Sequence, residues 1–92
     1  MIKSFEHKGL EAFFRNGSKA GIQPHHANRL RLQLTVLDKA KESKDMSVLG
    51  WRLHGLTGDL AGFFSVDVNG NWRMTFRFDN GDVVLVDYQD YH

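Results

Sequence analysis

Apolar positions along the chain follow a helical period first and a strand period later. Between residues 7 and 16, Leu10, Phe13 and Phe14 recur at helical spacing. His7 marks the start of that segment, and Asn16-Gly17 ends it with a residue that tolerates positive φ. Gly21 breaks the connection, and Pro24 stands where a second helix begins, because proline fits a first helical turn. The next stretch fits two periods. Arg29-Leu30-Arg31-Leu32-Gln33-Leu34-Thr35-Val36 alternates as a strand does, while Ala27, Leu30, Leu34, Leu37 and Lys41 keep helical spacing. Leucine, arginine and glutamine favour helix, and about 18 residues from Pro24 are too many for an ordinary strand. The pattern predicts a helix.

From residue 62 the period is two. Phe64, Val66 and Val68 alternate with Ser65 and Asp67 up to Asn69-Gly70-Asn71. Trp72, Met74, Phe76 and Phe78 then alternate with Arg73, Thr75 and Arg77 up to Asp79-Asn80-Gly81-Asp82, and Val83 to Tyr88 forms a last strand. Each Asn-Gly step suits a tight hairpin turn. Ile2 to Phe5 can add a short first strand. The expected fold is α+β, with two helices followed by an antiparallel meander and packed on one face of its sheet.

That pleat has a consequence for the other face. If Trp72, Met74, Phe76 and Phe78 meet the helices, then Arg73, Thr75 and Arg77 project away from them as a polar, cationic strip. Ordinary solvent-facing alternation produces the same pattern, so the strip gains meaning only where histidines and acids converge on it.

A chain of 92 residues is one domain, residues 1–92, and its 11 aromatic side chains supply much of a small core. There is no cysteine, hence no disulfide and no thiolate metal site. The first residues lack the apolar stretch of a signal peptide, and no run nears the roughly 20 apolar residues of a membrane span. A cytoplasmic protein without membrane contact is expected. Net charge is +1 but unevenly spread: residues 1–57 carry +5 and residues 58–92 carry −4. The basic half is either an electrostatic footprint for nucleic acid or a solvated helical surface.

Five histidines are present, at 7, 25, 26, 54 and 92. His25-His26 reads as a surface pair beside Pro24. No H-x-x-x-H or H-E-x-x-H spacing occurs, so neither a zinc hydrolase nor any other metal or cofactor is expected. His54 sits in the glycine-rich Leu53-His54-Gly55-Leu56-Thr57-Gly58-Asp59, where it can be held near the sheet and remain accessible. Asp59 suits a cap for the turn before the sheet. The terminal Asp90-Tyr91-His92 is either a ragged tail or, because the apolar strand runs almost to it, an anchored one. Phe63, opposite the Phe64 face, is either local packing or a platform for a stacked base.

Several segments in order carry a resemblance: Ile2-Lys3-Ser4-Phe5, Leu53 to Asp59, Gly62-Phe63-Phe64-Ser65-Val66, Asn71-Trp72-Arg73-Met74-Thr75-Phe76 and Asp90-Tyr91-His92. Together they resemble the HigB or "plasmid maintenance killer" toxin family of the RelE/ParE superfamily across essentially the whole chain. The resemblance implies a RelE-like fold, with two N-terminal helices on a small, mainly antiparallel sheet. It implies ribosome-dependent cleavage of mRNA in the A site of the small ribosomal subunit. It also implies neutralisation by a HigA-like helix-turn-helix antitoxin. Operator DNA would be met only through the antitoxin complex.

The family's catalytic histidine before the sheet matches His54, its basic residue on the Trp-Arg strand matches Arg73, and its C-terminal triplet matches Asp90, Tyr91 and His92. One position departs: where relatives can have lysine three residues after the histidine, this chain has Thr57. Arg77, Arg52 and a lysine facing ribosomal RNA are the candidates to supply that missing cation to RNA, and the sequence does not choose among them. The implied chemistry is attack of a ribose 2′-OH on the adjacent phosphorus, with His54 and His92 as the acid/base pair in unassigned order and Arg73 on the phosphate. Two other readings remain open: a ParE-like, non-enzymatic inhibitor of DNA gyrase, and a plain RNA- or ribosome-binding module.

Overall fold

Leu10 and Phe13, on the helical stripe read from the sequence, are buried in a computed structural model that describes residues 1–91. They lie on helix α1, Lys8–Asn16. Its start is capped by His7, whose Nδ1 accepts the Leu10 N–H at 2.9 Å. Its end is closed by Gly17 at φ 80°, whose N–H donates to the Phe13 carbonyl. Helix α2 runs Ala27–Lys39 after a short 3₁₀ turn, Pro24–His26, that carries the proline. Ala27, Leu30, Leu34 and Leu37 form its buried face, so the helical period prevails over the strand-like alternation.

Four strands form one sheet in sequence order: β1 His54–Gly55, β2 Phe63–Asn69, β3 Trp72–Asp79 and β4 Asp82–Asp90, each antiparallel to the next. Asn80 and Gly81, at φ 52° and 82°, make the β3–β4 turn, and Gly70 at φ 57° opens the β2–β3 turn. The two-residue β1 was not legible as a strand, because its glycine-rich surroundings carry no alternation. Nor do Ile2 to Phe5 form a full strand. They touch β4 through two parallel bridges, Ile2 to Val83 and Phe5 to Val86.

The core lies between the helices and one sheet face, where Val66, Val68, Met74, Phe76, Val86 and Tyr88 meet Leu10, Leu30, Leu34 and Leu37. Three local expectations are corrected. His26 is 2 % exposed rather than superficial, because the 3₁₀ turn aims it inward, where its Nδ1 meets the Tyr88 hydroxyl at 2.6 Å and its ring meets Trp72 edge-on. Asp59 caps nothing: it lies within the 3₁₀ turn Gly58–Leu60, which has no side-chain cap. Thr75 is 4 % exposed, so the strip Arg73-Thr75-Arg77 is interrupted by a side chain sunk between taller neighbours.

Candidate active site

The sheet face turned away from the helices brings the polar positions of all four strands into register. One row runs His54, Ser65, Thr75, Asp87 across β1 to β4. The next runs Asp67, Arg73, Gln89, and beyond Thr75 in the other direction Phe63 faces Arg77. These rows follow from the two-residue side-chain period of each strand together with the antiparallel register.

His54 is exposed on the edge strand. Its Nδ1 lies 3.3 Å from the Arg52 carbonyl, an acceptor, which places the ring proton on Nδ1. Nε2 is then left to accept a proton and faces the Ser65 hydroxyl at the hydrogen-bonding limit of 3.5 Å. An accessible imidazole nitrogen with so weak a partner can take up or release a proton.

Arg73 is tied down. Its Nε donates to Asp67 at 3.0 Å, and its NH1 donates to the Gly70 and Trp72 carbonyls at 2.8 and 3.3 Å. Asp67 also meets Arg52 at 3.6 Å, so one carboxylate bridges the two cations that the sequence reading assigns to RNA. The Asp67 backbone is itself fixed, from α2 where its carbonyl accepts from Gln33 and Arg29, and from the segment before β1 where its N–H donates to the Trp51 carbonyl. The period-two alternation of β2 already placed Asp67 on the face of Arg73, and opposite signs in facing strands were the available signal.

Arg52 is 81 % exposed at its side chain, and its backbone has the left-handed φ of 53°. Arg77 is exposed and lies over the Phe63 ring, 5.8 Å from its centroid, so a stacked base would compete with a cation–π contact there. Asp90 pairs with Trp72 at the end of β4, and the Tyr91 N–H donates to the Asn71 carbonyl at 2.8 Å, so the chain is anchored through Tyr91. His92 lies outside the described residues. β1 and β4 are three strand spacings apart, about 14 Å, so His54 and the Asp90-Tyr91 end flank Arg73 without touching. Ser65, Asp67, Asp87 and Gln89 were missed as site neighbours by sequence reasoning.

Among the described residues no three His, Asp or Glu side chains are grouped to hold a metal ion. No helix there is long and apolar enough to cross a membrane.

Comparison with known proteins places this face in a family. Residues 3–92 match the family model described as a RelE-like toxin of the type II toxin–antitoxin system HigB. The chain is 41 % identical over 92 residues to a protein of Proteus vulgaris named endoribonuclease HigB, covering all of both chains. It is 33 % identical over 94 residues to toxin HigB-1 of Vibrio cholerae serotype O1, covering all of this chain and 98 % of that one. A match of such extent leaves no segment of the site unaccounted for, and the chain belongs to the HigB-like toxin family.

Proposed function

We propose that this toxin is an endoribonuclease that cuts mRNA on the ribosome. The observation that carries the reading is the placement of Arg73 in mid-sheet, between an exposed His54 and the anchored Asp90-Tyr91 end. Such a face can hold a phosphodiester at its centre with His54 as a proton carrier on one side, and His92, the proposed second carrier, follows the anchored Tyr91 in the sequence. The name of the Proteus vulgaris relative supports the same activity.

In the proposed reaction the base, His54 or His92, takes the proton from a ribose 2′-OH. The 2′-oxygen bonds to phosphorus, the bond from phosphorus to the 5′-oxygen breaks, and the other histidine protonates that leaving oxygen. The products are a 2′,3′-cyclic phosphate and a 5′-OH. Arg73 donates to the phosphorane oxygens, Arg52 and Arg77 steady flanking phosphates, and Asp90 orients a histidine. Tyr91 donates a hydrogen bond or stacks on a displaced base.

The occupied state of Arg73 supports dependence on the ribosome. Asp67 competes with phosphate for the Nε edge of its guanidinium, and a message held in the ribosomal A site supplies the local concentration and orientation that favour the exchange. A HigA-like helix-turn-helix antitoxin is the expected partner, with operator DNA reached only through that complex. The compartment of action is then the cytoplasm.

Primer extension on messages from induced cells tests the reading. Discrete new 5′ ends that require His54 and His92 support it; intact messages with damaged DNA would instead point to gyrase poisoning. Adding purified ribosomes to a reaction on defined mRNA separates ribosome-dependent cutting from cutting of free RNA.

A further inference from the structure

A depression of about 230 Å³ opens on the same sheet face, beside the His54 row. Its floor is the buried Thr75, third in that row and two strand spacings, about 10 Å, from His54. Leu60, Phe63 and Leu85 make apolar walls. Leu60 projects from the 3₁₀ turn before β2 and is 40 % exposed despite its size. Leu85 has the left-handed φ of 58° inside β4, a conformation a branched side chain adopts only when its surroundings enforce it. The register between β3 and β4 shifts at this point, and the Ser4 hydroxyl accepts the Leu85 N–H at 2.9 Å. Bulges of this kind re-aim a side chain, and here Leu85 lines the depression.

The remaining wall is rich in acceptors. Asp87 accepts from the Tyr88 N–H at 2.9 Å and from the Gln89 amide at 2.6 Å, and each of its oxygens keeps capacity for another donor. Donation by its nitrogen fixes the Gln89 carboxamide and leaves its oxygen as an acceptor. Glu6 adds a carboxylate at the rim, and no Lys or Arg lines the space. Phosphate is repelled there. A flat apolar ring with N–H donors on its edge is complementary.

We infer that this depression is a base-specificity subsite, seating one nucleobase of the RNA next to the cut. Adenine, cytosine and guanine carry an exocyclic amine that Asp87 can accept from. Uracil has no exocyclic amine; its N3–H can donate to Asp87, but the carbonyls flanking that N–H would then face the remaining acceptor oxygens of Asp87 and Gln89, so the subsite discriminates against uracil. The neighbouring Arg52, Arg73 and Arg77 favour an RNA strand over a protein side chain as the occupant, since they supply cations for its phosphates on the same face. The inference rests on the nuclease reading above.

The test maps 5′-OH ends in cells expressing wild-type toxin, Asp87→Asn or Leu60→Ala, and compares base frequencies around the cuts. Wild type is expected to avoid uracil at one position near the cut. Asp87→Asn, whose amide can also donate to a carbonyl, should reduce that avoidance about tenfold. Leu60→Ala widens the space at an exposed position outside the strands and should relax the same position, which covers the case in which Asp87→Asn fails to fold. An unchanged base profile in a cutting variant overturns the subsite alone, as does a rate increase spread evenly over all contexts. Loss of neutralisation by antitoxin with the base profile intact assigns the depression to a protein partner instead. No cleavage by the wild-type toxin overturns the nuclease reading and the subsite with it.

Discussion

The Arg73 guanidinium rests on Asp67, with Nε 3.0 Å from a carboxylate that also approaches Arg52 at 3.6 Å. A phosphate that takes the Nε edge of Arg73 therefore competes with an internal anion. Asp67→Asn removes the charge and keeps an oxygen for Arg73 to donate to. It should release up to two cations to RNA and steepen the salt dependence of single-strand binding by about 1.4 in log–log slope. Fluorescence anisotropy with a short RNA at several salt concentrations, in a His54→Gln background that does not cut, measures this. Equal slopes for the two proteins would show that Asp67 does not compete with phosphate.

His54 is exposed and its ring makes only long contacts to Arg52 and Ser65, so its replacement separates chemistry from stability. His54→Gln should leave the melting temperature nearly unchanged and slow single-turnover cleavage about 100-fold or more. Arg73→Lys should also lose about 100-fold, because a point charge does not reproduce a planar, bidentate donor. Full activity in Arg73→Lys would mean that Arg73 only contributes charge.

Much of this site was readable from strand period. The alternation of Trp72, Met74, Phe76 and Phe78 placed Arg73 and Arg77 on the face that carries His54, and the Asn-Gly turns fixed the order of β2 to β4. The buried Thr75 was not readable, because depth on that face depends on Leu60 and Leu85, which reach over it from a 3₁₀ turn and a bulge. The inward turn of His26 was hidden for a similar reason: a 3₁₀ turn has a three-residue period that helical spacing does not anticipate. The ties between Asp67 and its two arginines needed a cross-strand register, which pattern alone does not supply.

Gly9 and Gly21 touch backbone to backbone where the first turn of α1 meets the loop leading to α2. A Cβ on Gly9 would lie 2.6 Å from the Gly21 carbonyl oxygen, and one on Gly21 would collide with the Gly9 Cα. Neither neighbour is a flexible side chain that could give way. Gly21→Ala should cost about 1–3 kcal/mol and lower the melting temperature by roughly 5–15 °C, read by thermal unfolding. A neutral result would mean that the loop shifts freely away from α1.

The Tyr88 hydroxyl, held protonated by burial that raises its pKa, accepts the Gln23 N–H and donates to His26 Nδ1 at 2.6 Å. His26 must be neutral at that nitrogen to accept. Burial first, and the nearby His25 charge second, lower its pKa from the ordinary 6.5. The unfolded chain therefore binds a proton near 6.5 that the folded chain takes up only at lower pH. Between those two values the unfolded state holds more protons, so stability falls as pH drops through 6.5 and levels off below the folded pKa. His26→Asn keeps an acceptor for Tyr88 and removes the titration. Melting temperatures measured from about pH 7.5 to 5 should decline less steeply for this variant than for wild type, and parallel curves would show that His26 does not control the acid limb.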